Sequence, residues 1–256
     1  MRSRSACSAA ALVLLLAGCG GDDGGSAATT VRETVTQTAT SSVPEEAPAV
    51  VKLYFLQDGE VWPEQREIVT GAAIATRTTE ELLEGAESGL TSAIPRETSL
   101  RSLSIDGGVA SIELTPPVTD RRAQAQIAYT LTQFPTVKRV SFDGAAPVSR
   151  AAFEDETPAI LVDSPLGGED VEPGFEAAGT ANTFEANFQY ELRDAAGAIL
   201  HEDFVTATSG SGTRGTFSFT VQYEPGSAER GRLVVFEISA EDGSRTNERT
   251  IPLQLR

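Results

Sequence analysis

Few side chains in this chain of 256 residues have types and spacing that could do chemistry. The chain contains one histidine and two cysteines. His201 precedes Glu202 and Asp203, so an imidazole and a carboxylate could act as an acid–base pair. Nucleophilic triads and most zinc sites need further His or Cys residues, which this chain lacks. We therefore expect no catalysis and interpret His201 as an exposed residue at the end of a strand.

Clustered carboxylates offer a second kind of site. They lie at Glu154-Asp155-Glu156, at Glu169-Asp170-Glu172 and at Asp242. Calcium takes oxygen ligands, so each loop could hold this ion, but none has the spacing of an EF-hand. Adjacent carboxylates on a loop usually face water. We predict solvated loops and no metal or cofactor, with a calcium site as the alternative.

Aromatic residues offer a third possibility. Tyr54, Phe55 and Trp62 could form a platform on which sugar rings stack. Aromatic residues on or beside a strand belong more often to a core, which is the interpretation we favour.

The charge of the chain excludes one class of partner. It has 37 acidic and 20 basic residues, a formal net charge of -17. Nucleic-acid affinity depends on Lys and Arg releasing counterions from phosphates, so we expect no nucleic-acid binding. Residues 151–256 hold 19 acidic and 7 basic residues, and residues 50–150 hold 13 and 10. The second half therefore carries most of the negative charge, which favours an acidic solvated face over a site for cations or a basic partner.

The amino terminus is typical of an exported protein. Arg2 and Arg4 precede nine apolar residues at 9–17, a run too short for the ~20 residues that cross a bilayer as a helix. This pattern predicts a secretory signal peptide. It ends in Leu16-Ala17-Gly18-Cys19, which resembles the bacterial lipobox, where diacylglycerol alkylates the cysteine and the peptide is cut before it.

The resemblance implies a signal peptide over residues 1–18 and a lipid attached to Cys19. Cys7 would be removed with the signal, so the mature protein would have no disulfide. The alternative is an ordinary signal peptide that happens to contain a cysteine. We expect a protein held to the cell membrane by acyl chains, on the extracytoplasmic face, and not spanning the bilayer.

Residues 19–49 form the next segment. Gly, Ser, Thr, Ala and acidic residues dominate it, and it has no aromatic residue and no apolar period. This composition predicts a disordered tether, with a root-mean-square reach of roughly 30 Å for about thirty flexible residues. O-glycosylation of the Thr-rich run at 34–42 stays open.

Residues 50–148 read as a small α+β domain. Strands are predicted at 50–56 and around Val61 and Trp62, and Pro63 makes the second an edge strand or cuts it short. A short helix is predicted to start at Thr78 and Thr79 and to end by Gly85. A hairpin follows around Asp106-Gly107-Gly108, then a helix over 119–134 and a strand over 137–142. The order β-β-α-β-β-α-β predicts a small mixed sheet with helices on one face.

This order and its residues resemble the GerMN domain of sporulation and spore-germination proteins. The matching residues are Leu53-Tyr54-Phe55, Arg66, Leu82-Leu83-Glu84-Gly85, Gly89-Leu90, Ile94-Pro95, Gly108-Val109-Ala110, Leu114, Gln126, Thr130-Leu131-Thr132 and Asp143-Gly144. Ala86 departs from the proline usual in the family. The resemblance implies a module of envelope assemblies and no catalytic residue.

The acidic segment 149–158 is predicted to link this domain to a second one over residues 159–256. There Phe184, Phe188 and Leu192 lie in a run that alternates apolar and polar residues, as in a strand with one wet face. Similar runs lie at 217–223, 234–238 and 251–255, with turns between them at 194–197, 210–212, 225–226 and 242–243. About seven short strands in 98 residues indicate an all-β immunoglobulin-like sandwich.

This second region resembles the immunoglobulin-like domain of bacterial spore-germination proteins. The matching residues are Ser164-Pro165, Val171, Pro173, Gly179, Ala181, Phe184-Glu185, Asp194, Gly197 and Asp242-Gly243. It lacks the cysteine pair of antibody domains, so its core must hold it together.

These features together predict a non-enzymatic, membrane-anchored envelope lipoprotein whose two domains contact other proteins. The alternative is a module that binds extracellular glycans or a small ligand. A protein interface would show an exposed apolar patch or sheet edge, whereas a glycan site would show a concave aromatic groove. The nearly balanced charge of residues 50–150 leads us to expect the envelope protein partner on that half.

Overall fold

A computed structural model describes residues 47–71, 73–87, 89–224 and 230–256. The described residues belong to one folded unit. The predicted signal peptide, Cys19 and most of the predicted tether lie outside the described residues, as does the turn at 225–226. The first strand begins at Ala47, three residues before its predicted start at Val50, so residues 47–49 of the predicted tether belong to it.

The chain enters the fold through a long hairpin. Strand β1 (Ala47–Gln57) pairs with β2 (Glu60–Thr70) in antiparallel register. Asp58 and Gly59 form the turn with φ of 54° and 84°, the left-handed pair that matches strand twist in a two-residue hairpin. Pro63 lies within β2, opposite Tyr54, and does not end the strand. It is tolerated because β2 pairs only with β1 and so is an edge strand, as predicted.

Two helices follow in the order predicted. Helix α1 (Ile74–Glu84) ends at Gly85 but begins before the predicted start. Thr78 and Thr79 are buried inside it, and the Thr79 hydroxyl donates to the Ala75 carbonyl (2.8 Å), so the predicted capping box is wrong. Helix α2 (Arg121–Leu131) is capped by Asp120 and is shorter at both ends than the predicted 119–134. It buries Ala123, Ile127 and Leu131, which are spaced four residues apart along one face.

The remaining strands of this region form a mixed sheet. Strand β3 (Ser99–Asp106) turns through Gly107-Gly108 into the antiparallel β4 (Val109–Thr115), and β5 (Arg139–Phe142) pairs with β4 in parallel. The predicted order of elements is therefore confirmed. The strands divide into the β1–β2 hairpin and this three-stranded sheet, where the sequence predicted a single sheet.

Helix α2 covers the open edge of β1 with polar side chains. The Gln133 side chain accepts from the Lys52 amide (2.8 Å) and donates to its carbonyl (2.7 Å). Thr130 accepts from the Tyr54 amide (3.0 Å), and Gln126 donates to the Tyr54 carbonyl (3.1 Å). Gln126 is fully buried, because an unpaired strand edge that leaves water needs hydrogen-bonding partners.

Residues 159–256 form two packed sheets. The strands are β6 (Ile160–Ser164), β7 (Asp170–Val171), β8 (Phe175–Ala181), β9 (Asn187–Asp194), β10 (Ile199–Thr206), β11 (Gly215–Val221), β12 (Gly231–Ile238) and β13 (Arg245–Leu255). One sheet has the order β10-β9-β12-β13-β7 and the other β11-β8-β6. The predicted all-β character of this region is confirmed.

Aromatic packing fills the space between these sheets. The ring centroids of Phe188 and Phe217 are 4.9 Å apart, and those of Tyr190 and Phe219 are 4.3 Å apart. Pairs in this distance range add to the stabilisation from area burial.

Two details of the predicted strands differ. Phe184 lies in a 3-10 helix before β9 and is exposed, although alternation placed it in the strand. Strand β12 buries both faces: Val235 belongs to the sandwich core, whereas Phe236 is buried on the outer face under Arg245, whose guanidinium carbon is 3.8 Å from the ring centroid. Because Arg245 reaches over this face from the neighbouring strand β13, the rule of one buried and one wet face fails here.

The predicted acidic linker is packed against the fold. Its residues Arg150–Glu156 form a 3-10 helix, in which Phe153 is buried. Arg121 of α2 pairs with Asp155 and with Glu156 (3.1 Å). The acidic residues therefore neutralise the charge of an arginine at the start of α2. The sequence predicted instead that these carboxylates face water.

Candidate functional site

A polar cluster joins residues 50–148 to residues 159–256. The Tyr54 hydroxyl donates to the Asp163 carboxylate, and Lys52 Nζ donates to the Asp163 carbonyl (2.6 Å). The Arg150 guanidinium lies 3.5 Å from the second carboxylate oxygen of Asp163. Its guanidinium carbon is 5.2 Å from the ring centroid of Tyr54 and 4.5 Å from that of Tyr129. The cluster ties the two regions together through shared contacts.

The protonation of this cluster fits a structural role. Burial, and then the Asp163 charge, raise the pKa of Tyr54 well above its usual value, so the hydroxyl stays a donor. Arg150 also donates to the Tyr129 carbonyl (2.9 Å) and to Thr132 Oγ1 (2.7 Å). Each charged group here is engaged by protein, which favours a rigid junction over a reacting centre.

Breaking this cluster is expected to destabilise the fold. Asp163→Ala removes the acceptor of Tyr54 and the counter-charge of Arg150, whose side chains are mostly out of water. We expect a loss of about 2 kcal/mol in the free energy of unfolding. Asp170→Ala is the matched control, since Asp170 and its partner Arg256 have side chains 58% and 60% exposed. Urea unfolding followed by circular dichroism measures both, and equal midpoints would contradict the assigned role.

The structure separates His201 from catalytic partners. His201 is half-buried on β10, and its ring centroid lies 5.8 Å from that of Tyr190. The predicted exposed position is therefore only partly right. Asp203, the candidate carboxylate, accepts from the Phe204 backbone amide (2.8 Å). In the described part of the chain neither Glu202 nor Asp203 forms a hydrogen bond or ion pair with His201, so the candidate acid–base pair is not assembled.

The predicted carboxylate clusters have protein partners. Asp155 and Glu156 pair with arginines of α2, and Asp170 pairs with Arg256 (2.8 Å). The Asp242 carboxylate accepts from the backbone amide and hydroxyl of Ser244. Within residues 47–71, 73–87, 89–224 and 230–256, no three His, Cys, Asp or Glu side chains gather as metal ligands would.

The aromatic platform is not formed. Tyr54 is 1% exposed and Phe55 is fully buried, so both belong to the core, as favoured from the sequence. Trp62 is only 8% exposed, so it does not present an open ring face either.

Exposed aromatic residues instead lie at one end of the sandwich. Phe204 on β10 is 68% exposed and pairs with Gln189 of β9. Phe184 is 65% exposed, and its amide donates to Glu237 (2.9 Å), which precedes the exposed Ile238. Gln189 lies in register between Phe204 of β10 and Phe236 of β12, and Ile238 is two residues beyond Phe236, so Gln189, Phe204 and Ile238 share one face of this sheet. We call these three residues the Phe204 face. Exposed apolar residues that share a face can mark an interaction surface.

Acidic residues lie around this end of the sandwich. Glu202 is exposed on the same face of β10 as Phe204, Asp203 is exposed on the opposite face, and Glu185 is exposed next to Phe184 in the sequence. The Asp203 carboxylate also caps the Phe204 amide at the open edge of β10, which protects that edge against pairing with another strand. A partner would therefore contact the side chains of this face and not the backbone of its strand edge.

The sequence analysis did not identify the Phe204 face. A signal was present: Phe204 stands beside Val205, and in a strand two adjacent apolar residues point to opposite faces. Val205 is buried, so Phe204 is exposed on this edge strand. The exposed phenylalanines lie in the second region, not in the half expected to carry the partner contact.

Comparison with known families gives the class of each region. Residues 52–145 match the Germane family, described as "Sporulation and spore germination". Residues 159–244 match the family described as "Immunoglobulin-like domain of bacterial spore germination". Both resemblances drawn from the sequence are confirmed, in the same order along the chain. Neither description names an enzymatic activity.

Other comparisons give weaker similarities. No curated protein matches the sequence at a significant level. A candidate lipoprotein of Clostridium perfringens is 18% identical over 45% of this chain and 98% of its own, with a TM-score of 0.30. WR4, an MSP family member of C. elegans, is 16% identical over 39% and 99%, with a TM-score of 0.26. At these scores neither likeness indicates a shared overall fold or function.

In the part of the chain that the structure describes, no helix has the length and apolar character needed to cross a bilayer.

Proposed function

We propose that this protein is a non-enzymatic lipoprotein, anchored through Cys19 on the extracytoplasmic face of the cell membrane, which binds an envelope protein through its Phe204 face. The lipobox-like sequence before Cys19 supports the anchor. The two matched families support a role related to sporulation or germination.

The observation that carries this proposal is the exposure of two phenylalanines on a folded, acidic sandwich. Phe184 and Phe204 are each about two-thirds exposed. Aromatic side chains dominate the binding energy of interfaces when a partner removes them from water. The surrounding carboxylates favour a partner that presents an apolar pocket with basic residues around it, because opposite charges speed encounter and like charges repel.

Crosslinking on intact cells tests this function. We expect the wild-type chain to form crosslinks near residues 184–204 with a basic envelope protein, identified by mass spectrometry. Phe204→Ser should lower the yield at least tenfold, because truncating a central aromatic residue typically costs 2 kcal/mol or more.

Ile105→Ser is the matched control for this experiment. Ile105 is 40% exposed in the other region, so its change should leave the yield intact. Crosslinks confined to residues 50–148, or full yield with Phe204→Ser, would move the partner site to the first region, as the charge of the sequence suggested.

A further inference from the structure

Strand β3 has an open edge. It lies at the end of the strand order β3-β4-β5, and its ladder with β4 is regular from Ser102 to Asp106, beyond a bulge between Leu100 and Ser102. Alternate residues of an antiparallel strand bond to the neighbouring strand, and counting from the two-residue turn, the backbone groups of Leu103 and Ile105 point away from β4. Within the described residues, no other element forms a hydrogen bond to them. This edge is therefore free to pair with a further strand.

Other edges of the fold are protected against such pairing. Strand β2 contains Pro63, which has no N–H to donate. The Asp203 carboxylate caps an amide on the edge of β10. The outer edge of β5 is bridged by two backbone hydrogen bonds between Val140 and Val148 (2.8 and 2.9 Å). Natural sheets use such devices to prevent contact between copies, and the regular part of β3 lacks them.

The side chains along this edge also permit pairing. Residues 102–105 are uncharged. Arg101 lies at the bulge, and its Nε donates to Thr115 Oγ1 of β4 (3.2 Å), so this cation is held over the sheet. Leu103 and Ile105 lie opposite buried residues of β4, on the face that the helices cover, yet Leu103 is only half-buried and Ile105 is 40% exposed. A neighbouring strand with apolar residues at the matching positions would cover them.

We propose that two copies of this chain pair through β3, in antiparallel orientation, about a two-fold axis at Ser104. In this register Leu103 of each copy lies opposite Ile105 of the other, and each such pair exchanges two backbone hydrogen bonds. Ser104 lies opposite its own counterpart on the outer face, and Ser102 lies opposite Asp106, so no like charges are opposed. The edge is complementary to itself, as a two-fold interface requires.

Charge favours a second copy as the occupant of this edge. Residues 50–150 hold 13 acidic and 10 basic residues, so two copies meet there with little repulsion. The contact is small beside the roughly 20–30 residues a side of a stable interface, so we expect a dimer that dissociates on dilution. The pairing uses neither the Phe204 face nor the lipid anchor, and it does not depend on the proposed function.

Sedimentation equilibrium of the full chain carrying Cys19→Ala, in reductant, tests this pairing. We expect a monomer–dimer equilibrium. Adding Ser104→Lys places two ammonium groups opposite each other at the axis and should raise the dissociation constant roughly fivefold. Ser111→Lys is the matched control: Ser111 pairs with Ser104 and is exposed on the same face, but it lies one strand away from the axis, so the dissociation constant should stay unchanged. A chain without either change that stays monomeric up to about 1 mM, or equal constants for the two variants, would overturn the proposal.

A charge swap separates loss of pairing from loss of fold. Ser104→Glu alone should dissociate like Ser104→Lys, but an equimolar mixture of the two should form dimers again, because opposite charges then meet at the axis. Ile105→Pro removes an N–H that has no partner in the monomer and donates in the dimer, so it should abolish pairing with an unchanged circular dichroism spectrum. A mixture that stays monomeric, or a dimer that survives Ile105→Pro, would contradict the register around Ser104.

Phe204→Ser distinguishes this edge from the Phe204 face. This variant should dimerise as tightly as the chain without it. A dimer that is lost in Phe204→Ser and kept in Ser104→Lys would place self-association on the Phe204 face and overturn the assignment to β3.

Discussion

Cys19→Ala is expected to abolish acylation and to move the protein from the membrane pellet to the soluble fraction. Each buried CH₂ of an acyl chain contributes about 0.8 kcal/mol, so two or three chains hold a protein almost permanently. Without them, the nine apolar residues at 9–17 are too few to span a bilayer. Metabolic labelling with a fatty acid, followed by fractionation, measures both effects.

Cys7→Ala is the matched control for the anchor. Cys7 lies within the predicted signal peptide and would be absent from the mature protein. This variant should incorporate label and stay in the membrane fraction. Labelled protein in the Cys19→Ala strain, or its full retention in the pellet, would refute the lipid anchor.

Gly179→Ala is expected to unfold the sandwich at a much lower temperature than the wild type. Gly179 lies in β8 between β6 and β11, facing Val162 and Phe217 in register. An added Cβ would stand 2.0 Å from the Leu161 carbonyl oxygen and 2.8 Å from the ring of Phe217. The strands must separate to admit it, at an expected cost of about 3 kcal/mol.

For a folded unit of this size, that cost corresponds to a fall in melting temperature of roughly 6–12 °C. Gly71→Ala is the control, because a Cβ there meets no atom within 4 Å and the backbone needs no left-handed conformation. Scanning calorimetry gives the melting temperature of both variants. Equal melting temperatures for Gly179→Ala and Gly71→Ala would contradict this prediction and show that β8 can shift to admit the added methyl group.

The polar cluster around Asp163 also changes how the two regions should behave when they are separated. From the sequence, a linker at 149–158 implied two units that share no contacts and have additive stabilities. The premise is wrong for this fold, since Tyr54 and Arg150 both contact Asp163. Each half alone would expose polar and aromatic groups that the other now covers, so their summed stability should fall short of that of the intact chain.

The sequence by itself determined the features that depend on local order along the chain. The Asp58-Gly59 and Gly107-Gly108 turns and the apolar period of α2 each follow from neighbouring residues, so they were predictable. The two family resemblances rest on the same local motifs. The lipid on Cys19 is likewise a prediction from a short segment, and it awaits experiment.

Tertiary structure decided where polar and aromatic residues ended up. Gln126 is buried because its amide bonds to the open edge of β1, and Phe204 is exposed on the outer face of the edge strand β10. Asp163 and Arg150, 13 positions apart in the sequence, became partners only when β6 packed beside the hairpin. Burial and pairing depend on which elements become neighbours, and that is set by the summed packing of the whole fold instead of by any local pattern.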